Sequence, residues 1–293
     1  MFRRFRRGEA EGRETEGVVG YAFSGGGSRG ASQVGALKAL TEAGIWPQLV
    51  AGTSAGAVNA AWFAVHPHRL DQLEAIWLAL RTRDVSPGSR FHILMNLARR
   101  GYVHRADAWE AFLRQHVGDA TFEDAVLPLF VTAVRLSDGE RVVFDSGPIV
   151  PALMASTAIP GVFPPYRIGE DYYVDGGVLE YMPLPTLLER GATSVFALDC
   201  SSFDHGVPGT VGVVDRCARI SARASVIQMA SFSFTRGRTV HLLLPNLPEV
   251  PDGRDFGRTA ELVLAGYLQA REYLATHGLD RRLGGAVQQP TAG

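Results

Sequence analysis

The pentapeptide Gly52-Thr53-Ser54-Ala55-Gly56 has the residue types of a serine nucleophile. It follows an apolar segment and precedes an alanine-rich one, so it predicts a sharp turn between a strand and a helix. Such a turn lifts the Ser54 hydroxyl clear of the backbone, and the flanking glycines tolerate the crowding. It also aims the Ala55 N–H and the helix N-terminus at the group that the serine attacks. The alternative interpretation is a turn of small residues where a helix packs closely on a strand.

A glycine-rich run, Gly25-Gly26-Gly27-Ser28-Arg29-Gly30, lies upstream. Consecutive glycines let backbone N–H groups converge on one oxygen without Cβ clashes. We therefore assign four residues to a candidate oxyanion hole: Gly25, Gly26, Gly27 and Ala55. The run also fits the G-x-G-x-x-G fingerprint of dinucleotide-binding proteins. That fingerprint places an acidic residue about 20 positions later, where this chain has Gly52-Thr53-Ser54, so we disfavour it.

A base that activates the serine has two possible sources. A Ser-Asp-His order would use a histidine near the C-terminus, and the candidates are His205, His241 and His277. The other source is Asp175, which ends a predicted strand and is followed by two glycines that allow close backbone approach. An ordinary β-turn aspartate is the alternative role for Asp175.

The elements that must position these residues begin with a strand over 18–23, a helix over 31–43 ending at Gly44, and a strand over 48–53. This strand-helix-strand unit places Ser54 and the glycine run at the carboxyl ends of neighbouring strands. In open α/β sheets, ligands bind at that edge. The two loops can therefore face one site.

Further along the chain, periodicity predicts helices over 68–81, 105–116, 213–234 and 255–277, with Asp255 as N-cap and Gly278 past the end of the last helix. Strands are predicted at 129–136 and 141–145, which form a hairpin, and at 166–168, 172–174, 194–199 and 239–244. The alternation indicates an α/β fold, a three-layer α/β/α sandwich with a mainly parallel central sheet. We expect a single domain over 18–280, with tails at 1–17 and 281–293.

Composition narrows the class of protein. The chain has 293 residues, 46% hydrophobic and 20% charged, and a formal net charge of -1, so no overall field favours nucleic acid. Two cysteines without a C-x-x-C pattern disfavour a disulfide framework or a zinc site, and we expect a reducing, cytoplasmic setting. The apolar window 46–65 is interrupted by Pro47, Gly52 and Gly56, which favours a buried strand-turn-helix over a membrane span.

The N-terminal segment 1–7 contains four arginines and two phenylalanines and has no apolar core, so it does not resemble a secretory signal. It is compatible with peripheral contact to an anionic membrane surface. A solvated tail is the interpretation that we favour, because lasting anchorage needs a second signal.

Three blocks in order, residues 25–30, 52–56 and Asp175-Gly176-Gly177, resemble the signature of the patatin-like phospholipase family. The small-residue and proline segment 155–165 is similar as well, and the resemblance extends over residues 18–199. It implies a Ser-Asp dyad without histidine, in which Ser54 attacks a fatty ester and Asp175 accepts its proton, with no metal or cofactor. By similarity, Arg29 would hold the glycine loop or meet a lipid phosphate; a structural salt bridge is the alternative.

A lipid substrate requires an apolar surface, and residues 89–101 could form an amphipathic interfacial or lid segment. A core helix with a basic, solvated end is the default interpretation. From the family resemblance we expect a phospholipase or lysophospholipase. Two rivals stay open: an acyltransferase that uses the same acyl-serine, and a regulatory scaffold with little activity.

Overall fold

The computed structural model describes residues 17–85, 106–201, 220–221, 224, 226–228, 237–245, 247 and 255–279. The strands are β1 (Val19–Phe23), β2 (Leu49–Thr53), β3 (Leu129–Arg135), β4 (Arg141–Phe144), β5 (Tyr166–Ile168), β6 (Asp171–Asp175), β7 (Ser194–Leu198) and β8 (Thr239–Leu243). The helices are α1 (Ala31–Glu42), α2 (Ala55–Val65), α3 (Leu70–Ala79), α4 (Thr82–Val85), α5 (Asp107–Val117), α6 (Ile149–Ser156), α7 (Leu184–Glu189) and α8 (Thr259–Thr276).

These strands form one mixed sheet in the order β5-β6-β3-β2-β1-β7-β8, with β4 also paired to β3. The central pairs are parallel: β3 with β2, β2 with β1, β1 with β7 and β7 with β8. The pairs of β3 with β4, β3 with β6 and β5 with β6 are antiparallel. The mainly parallel sheet is therefore confirmed, and its antiparallel part consists of β4, β5 and β6 beside β3.

The two faces of the sheet bury alternate residues of each strand, as the two-residue period of a strand requires. Tyr21 and Phe23 of β1 pack in the larger core cluster, which α1, α2 and α8 also enter. Ala22 of β1 packs on the opposite face, with Leu184 and Leu187 of α7. Helices thus cover both faces, and the predicted α/β/α layering is confirmed.

Helices α1 and α8 approach each other closely because each has a glycine at the crossing. A Cβ atom on Gly35 would meet the Val263 carbonyl oxygen, and one on Gly266 would meet the Ser32 carbonyl oxygen. This contact packs the last described helix against the first strand-helix-strand unit. Within the described residues, no helix combines the length and the apolar character that crossing a bilayer requires.

Most predicted elements lie within two residues of those observed, including the hairpin of β3 and β4. The N-cap prediction is wrong: α8 begins at Thr259 after Arg258, and the Asp255 carboxylate instead accepts the Gly257 N–H at 2.8 Å. Gly278 does follow the helix, with φ 64°. Of the predicted helix 213–234, the described residues 220–221, 224 and 226–228 are helical. The basic segment 1–7, the segment 89–101 and the tail 281–293 lie outside the described residues.

Candidate active site

Ser54 occupies a sharp turn between β2 and α2. Its backbone angles are φ 57° and ψ −128°, and no other non-glycine residue in the described ranges has a positive φ. Gly56 permits this turn, because a Cβ there would meet the carbonyl oxygens of Phe23 and Ser24. A strained backbone of this kind persists only where the surroundings enforce it, and such sites are often functional.

Strand β3 brings Ser54 and Asp175 together. Strand β2 pairs with the first half of β3 and ends with Thr53 opposite Thr132. Strand β6 runs the other way along the second half of β3 and ends with Asp175 opposite Ala133. Strand β4 pairs with residues from both halves of β3, so it occupies one edge of that strand. Strands β2 and β6 therefore lie along the other edge, where they meet end to end. Residues distant in sequence therefore become neighbours.

The Asp175 carboxyl group is buried, with 6% of the residue exposed. One oxygen accepts the Gly177 N–H at 2.7 Å. Burial raises the pKa of Asp175 from 3.8 to about 6, although hydrogen bonds from the Ser54 side chain and the Gly177 N–H act in the opposite direction. At neutral pH the carboxylate is thus ionised, yet more basic than an exposed aspartate.

Three of the four predicted oxyanion donors keep their backbone N–H free of partners within the described residues: Gly26, Gly27 and Ala55. Gly25 differs, because its N–H donates to the Tyr181 carbonyl oxygen at 2.9 Å. The prediction for Gly25 as a donor is therefore corrected. Gly25 still adjoins Ser54, since a Cβ built on Gly25 would lie 3.3 Å from the Ser54 Cβ.

A cavity of about 80 Å³ opens beside Ser54. Side chains from α2, α3 and α5 line it, and they are largely aliphatic or aromatic; among them are Val58, Trp62, Leu73, Trp77, Trp109 and Leu113. His116 is the titratable side chain in the lining, and burial lowers its pKa from 6.5, which keeps it neutral at neutral pH. The cavity suits an uncharged, apolar group rather than a polar one.

The Patatin-like phospholipase family model matches residues 21–188. The chain belongs to the patatin-like phospholipase family. The match spans all three sequence blocks and the strands that carry Ser54 and Asp175. The fold is accordingly the patatin fold.

Among curated relatives of this patatin-like chain are fungal lysophospholipases. Lysophospholipase nte1 of Aspergillus terreus is 27% identical over 283 residues, covering 87% of this chain and 18% of that protein. Lysophospholipase NTE1 of Kluyveromyces lactis is 25% identical over 284 residues, covering 88% of this chain and 19% of that protein. The chain thus spans about a fifth of the length of these relatives. Among solved structures, VipD from Legionella pneumophila aligns with a TM-score of 0.49 and 18% identity, over 89% of this chain and 67% of that one.

In this patatin-like chain, Arg29 is buried in the 3-10 turn Gly27–Gly30, with 6% of the residue exposed. Its positive charge lowers the pKa of Tyr181 and of Cys200, although burial dominates and raises both. Holding the glycine loop, meeting a lipid phosphate and forming a structural salt bridge all stay predictions for Arg29.

Two of the three candidate histidines lie away from Ser54. His241 is in β8, stacks on Phe196 at 4.3 Å and pairs its Nδ1 with the Tyr273 hydroxyl at 3.2 Å. Because three strand spacings separate β8 from β2, His241 is about 14 Å from the strand that ends before Ser54. His277 follows α8, with Nδ1 2.8 Å from the Tyr273 carbonyl oxygen. His205 lies outside the described residues.

Sequence reasoning missed the polar side chains that support the glycine loop. The Cys200 thiol donates to the Gly25 carbonyl oxygen at 3.0 Å, and the Cys200 N–H donates to the Ser24 hydroxyl at 2.9 Å. Gln33 donates to the Ser24 carbonyl oxygen at 2.9 Å. Ser24 follows β1, Gln33 lies in α1 and Cys200 follows β7, so no local motif predicts these contacts. A loop held in this way can keep the N–H groups of Gly26 and Gly27 fixed, as oxyanion stabilisation requires.

Proposed function

We propose that this chain is an ester-hydrolysing enzyme, a serine lipid acyl hydrolase that removes a fatty acyl chain from a phospholipid or lysophospholipid. The observation that carries the proposal is the apposition of Ser54, at a strained turn, with a buried carboxylate beside an apolar cavity. Family membership and the printed names of the fungal relatives support the same substrate class.

In the proposed reaction, the Ser54 Oγ attacks the ester carbonyl carbon while Asp175 accepts the hydroxyl proton. The carbonyl oxygen becomes an oxyanion, which the N–H groups of Gly26, Gly27 and Ala55 would stabilise. As the ester C–O bond breaks, Asp175 returns the proton to the departing alcohol. Water then attacks the acyl-serine, with Asp175 again as base, and releases the fatty acid.

A carboxylate with an ordinary pKa is a weak base toward a serine hydroxyl. Burial supports the proposed role of Asp175 because it raises the pKa of this group to about 6, closer to the working pH. The Ser54 side chain lies close enough to Asp175 to lower the pKa of its carboxyl group, which supports a direct proton transfer between them. The acyl chain would occupy the cavity beside Ser54, where burial of its methylene groups is favourable.

A product assay tests the proposal. Incubation with lysophosphatidylcholine is expected to release free fatty acid and glycerophosphocholine in equal amounts. The same incubation with added alcohol or a second lysolipid distinguishes the acyltransferase, in which the acyl chain would appear on the acceptor instead of as free acid. A scaffold with little activity would give neither product from any member of a lipid panel, and that outcome would refute hydrolysis.

We also propose that the enzyme contacts lipid surfaces peripherally through Val178 and Leu179, which are 54% and 56% exposed. These residues lie in a short segment between Asp175 and Tyr181. The Asp175 carboxyl group lies near the Ser54 side chain, which lowers its pKa, and the Tyr181 carbonyl oxygen accepts the Gly25 N–H. The exposed aliphatic pair thus lies on the surface, three and four residues after Asp175 in the sequence.

Replacing both residues, Val178→Ser with Leu179→Ser, is expected to weaken activity on phospholipid vesicles that contain lysophospholipid by about 10- to 100-fold. Each half-exposed side chain would lose roughly half of the ~1.5–3 kcal/mol that full burial provides. Hydrolysis of a soluble short-chain ester should stay unchanged. The matched control is Leu264→Ser with Leu268→Ser on α8, where both residues are 56% exposed. An equal loss in both double variants would argue against a dedicated lipid-facing pair.

A further inference from the structure

The end of helix α6 and the two residues after it contact the backbone of both members of the candidate dyad. The Ser54 N–H donates to the Ser156 hydroxyl oxygen at 2.9 Å. Two residues later, the Ala158 carbonyl oxygen accepts the Asp175 N–H at 3.0 Å. Residues 156–158 therefore bind the backbone of the nucleophile and the backbone of the base at the same time.

The Ser156 hydroxyl is also tied to the strand on which β2 and β6 meet. It donates to the Thr132 carbonyl oxygen at 2.7 Å, and Ser156 is completely buried. The same carbonyl oxygen leaves no room for a side chain at Gly176, the residue after Asp175, because a Cβ there would meet it. One hydroxyl thus connects the Ser54 N–H to the edge of β3 against which Gly176 packs.

Ser54 depends on this hydroxyl because its backbone leaves the regular geometry of the strand. Ser54 has a φ of 57° and lies between β2, which ends at Thr53, and α2, which begins at Ala55. Ser156 supplies the acceptor that neither element provides, and it fixes the strained turn in one orientation.

We propose that residues 156–158 act as a positioning element that sets the separation of Ser54 and Asp175, with the Ser156 hydroxyl as its main contact. The inference rests on the proposed function of the dyad. Ser156 does not touch the ester; it acts through the backbone of Ser54. Thr157 extends the same segment to the cavity, since its hydroxyl accepts the Trp109 Nε1–H at 2.8 Å and both residues line that cavity.

The test uses Ser156→Ala, which removes the acceptor, and Ser156→Cys, which keeps a weaker one of similar shape. On a soluble short-chain ester, kcat per active site is expected to fall about 10- to 100-fold in Ser156→Ala, with KM nearly unchanged. Ser156→Cys should lie between Ser156→Ala and wild type. Active sites are counted by titration with a fluorophosphonate, so a loss of folded protein does not count as a loss of rate. The control is Thr41→Val, which removes a hydrogen bond of 2.9 Å to the Leu37 carbonyl oxygen in α1.

The outcomes separate the two proposals. Wild-type protein that neither hydrolyses the ester nor reacts with the fluorophosphonate refutes the proposed function. Active wild type with an unchanged kcat per titrated site in Ser156→Ala refutes the positioning role, since Ser156 would then contribute to stability alone. A graded loss from serine through cysteine to alanine, absent in Thr41→Val, supports it.

Discussion

Replacement of Ser54 by alanine is expected to lower the hydrolysis of a fatty ester by about 10⁴- to 10⁶-fold. The change removes the oxygen that would form the acyl-enzyme, while the backbone donors and the cavity remain. Alanine keeps the Cβ atom, so the backbone at φ 57° is as strained as before and the free energy of unfolding should change little. Activity is measured by fatty acid release, and folding by thermal denaturation.

Labelling with a fluorophosphonate makes the Ser54 prediction specific. The reagent should modify the wild-type chain at Ser54, found by mass spectrometry of the labelled peptide, and should fail to modify Ser54→Ala. The control is Ser137→Ala in the loop between β3 and β4, which removes an exposed hydroxyl that bonds with Asp171 at 3.3 Å. Full activity in Ser54→Ala, or labelling of another serine with the same kinetics, would overturn the assignment of the nucleophile.

The glycine-rich parts of the site could be predicted because each position there tolerates only one residue type. The turn at Ser54 depends on Gly56, which must lie against the carbonyl oxygens of Phe23 and Ser24. The loop at Gly26 depends on its lack of a side chain, because a Cβ there would meet the Cys200 thiol. Each of these positions must be glycine, and a glycine at a fixed position in a motif can be recognised in a single sequence.

The meeting of Ser54 and Asp175 could not be derived from residue patterns, because it depends on strand pairing. Strand β6 is antiparallel to β3 and continues the edge that β2 leaves free. Patterns of apolar residues predict that a strand exists, but not which neighbour it joins or in which direction. The family resemblance supplied this proximity; the register of β3 explains it.

Contacts that close the site over long sequence separations were missed for the same reason. Ser156 was noted only as part of a small-residue segment, yet its hydroxyl accepts the Ser54 N–H. The Gly25 N–H looked like a donor for substrate, but the Tyr181 carbonyl oxygen accepts it. In each case the partner is more than 100 residues away, and a single sequence carries no signal for the pairing.

Activity is also expected to depend on pH through Asp175, whose pKa burial raises to about 6. As a base, Asp175 works only when ionised. The kcat/KM for a soluble ester should therefore fall about tenfold for each pH unit below 6 and level off above it. Asp175→Asn should lower kcat/KM about 10²- to 10⁴-fold on the plateau and abolish this acid limb. An unchanged profile in Asp175→Asn would assign the base to another group.

Burial of Asp175 also leads to a prediction for stability. Raising the pH should increase activity but decrease the stability of the folded chain. Because the folded-state pKa of Asp175 lies above its ordinary value of 3.8, the folded chain loses stability as the pH rises from 3.8 through about 6. At about 1.36 kcal/mol for each tenfold change in proton affinity, the full cost above that range is roughly 3 kcal/mol. Asp175→Asn cannot ionise, and its amide can still accept the Gly177 N–H. Its melting temperature should therefore exceed that of wild type by several degrees near pH 8, with a smaller difference near pH 4.

Asp119→Asn, a change at an exposed carboxylate, is the control for this measurement. A constant difference in melting temperature between Asp175→Asn and wild type across this pH range would show that ionisation of Asp175 does not destabilise the folded chain.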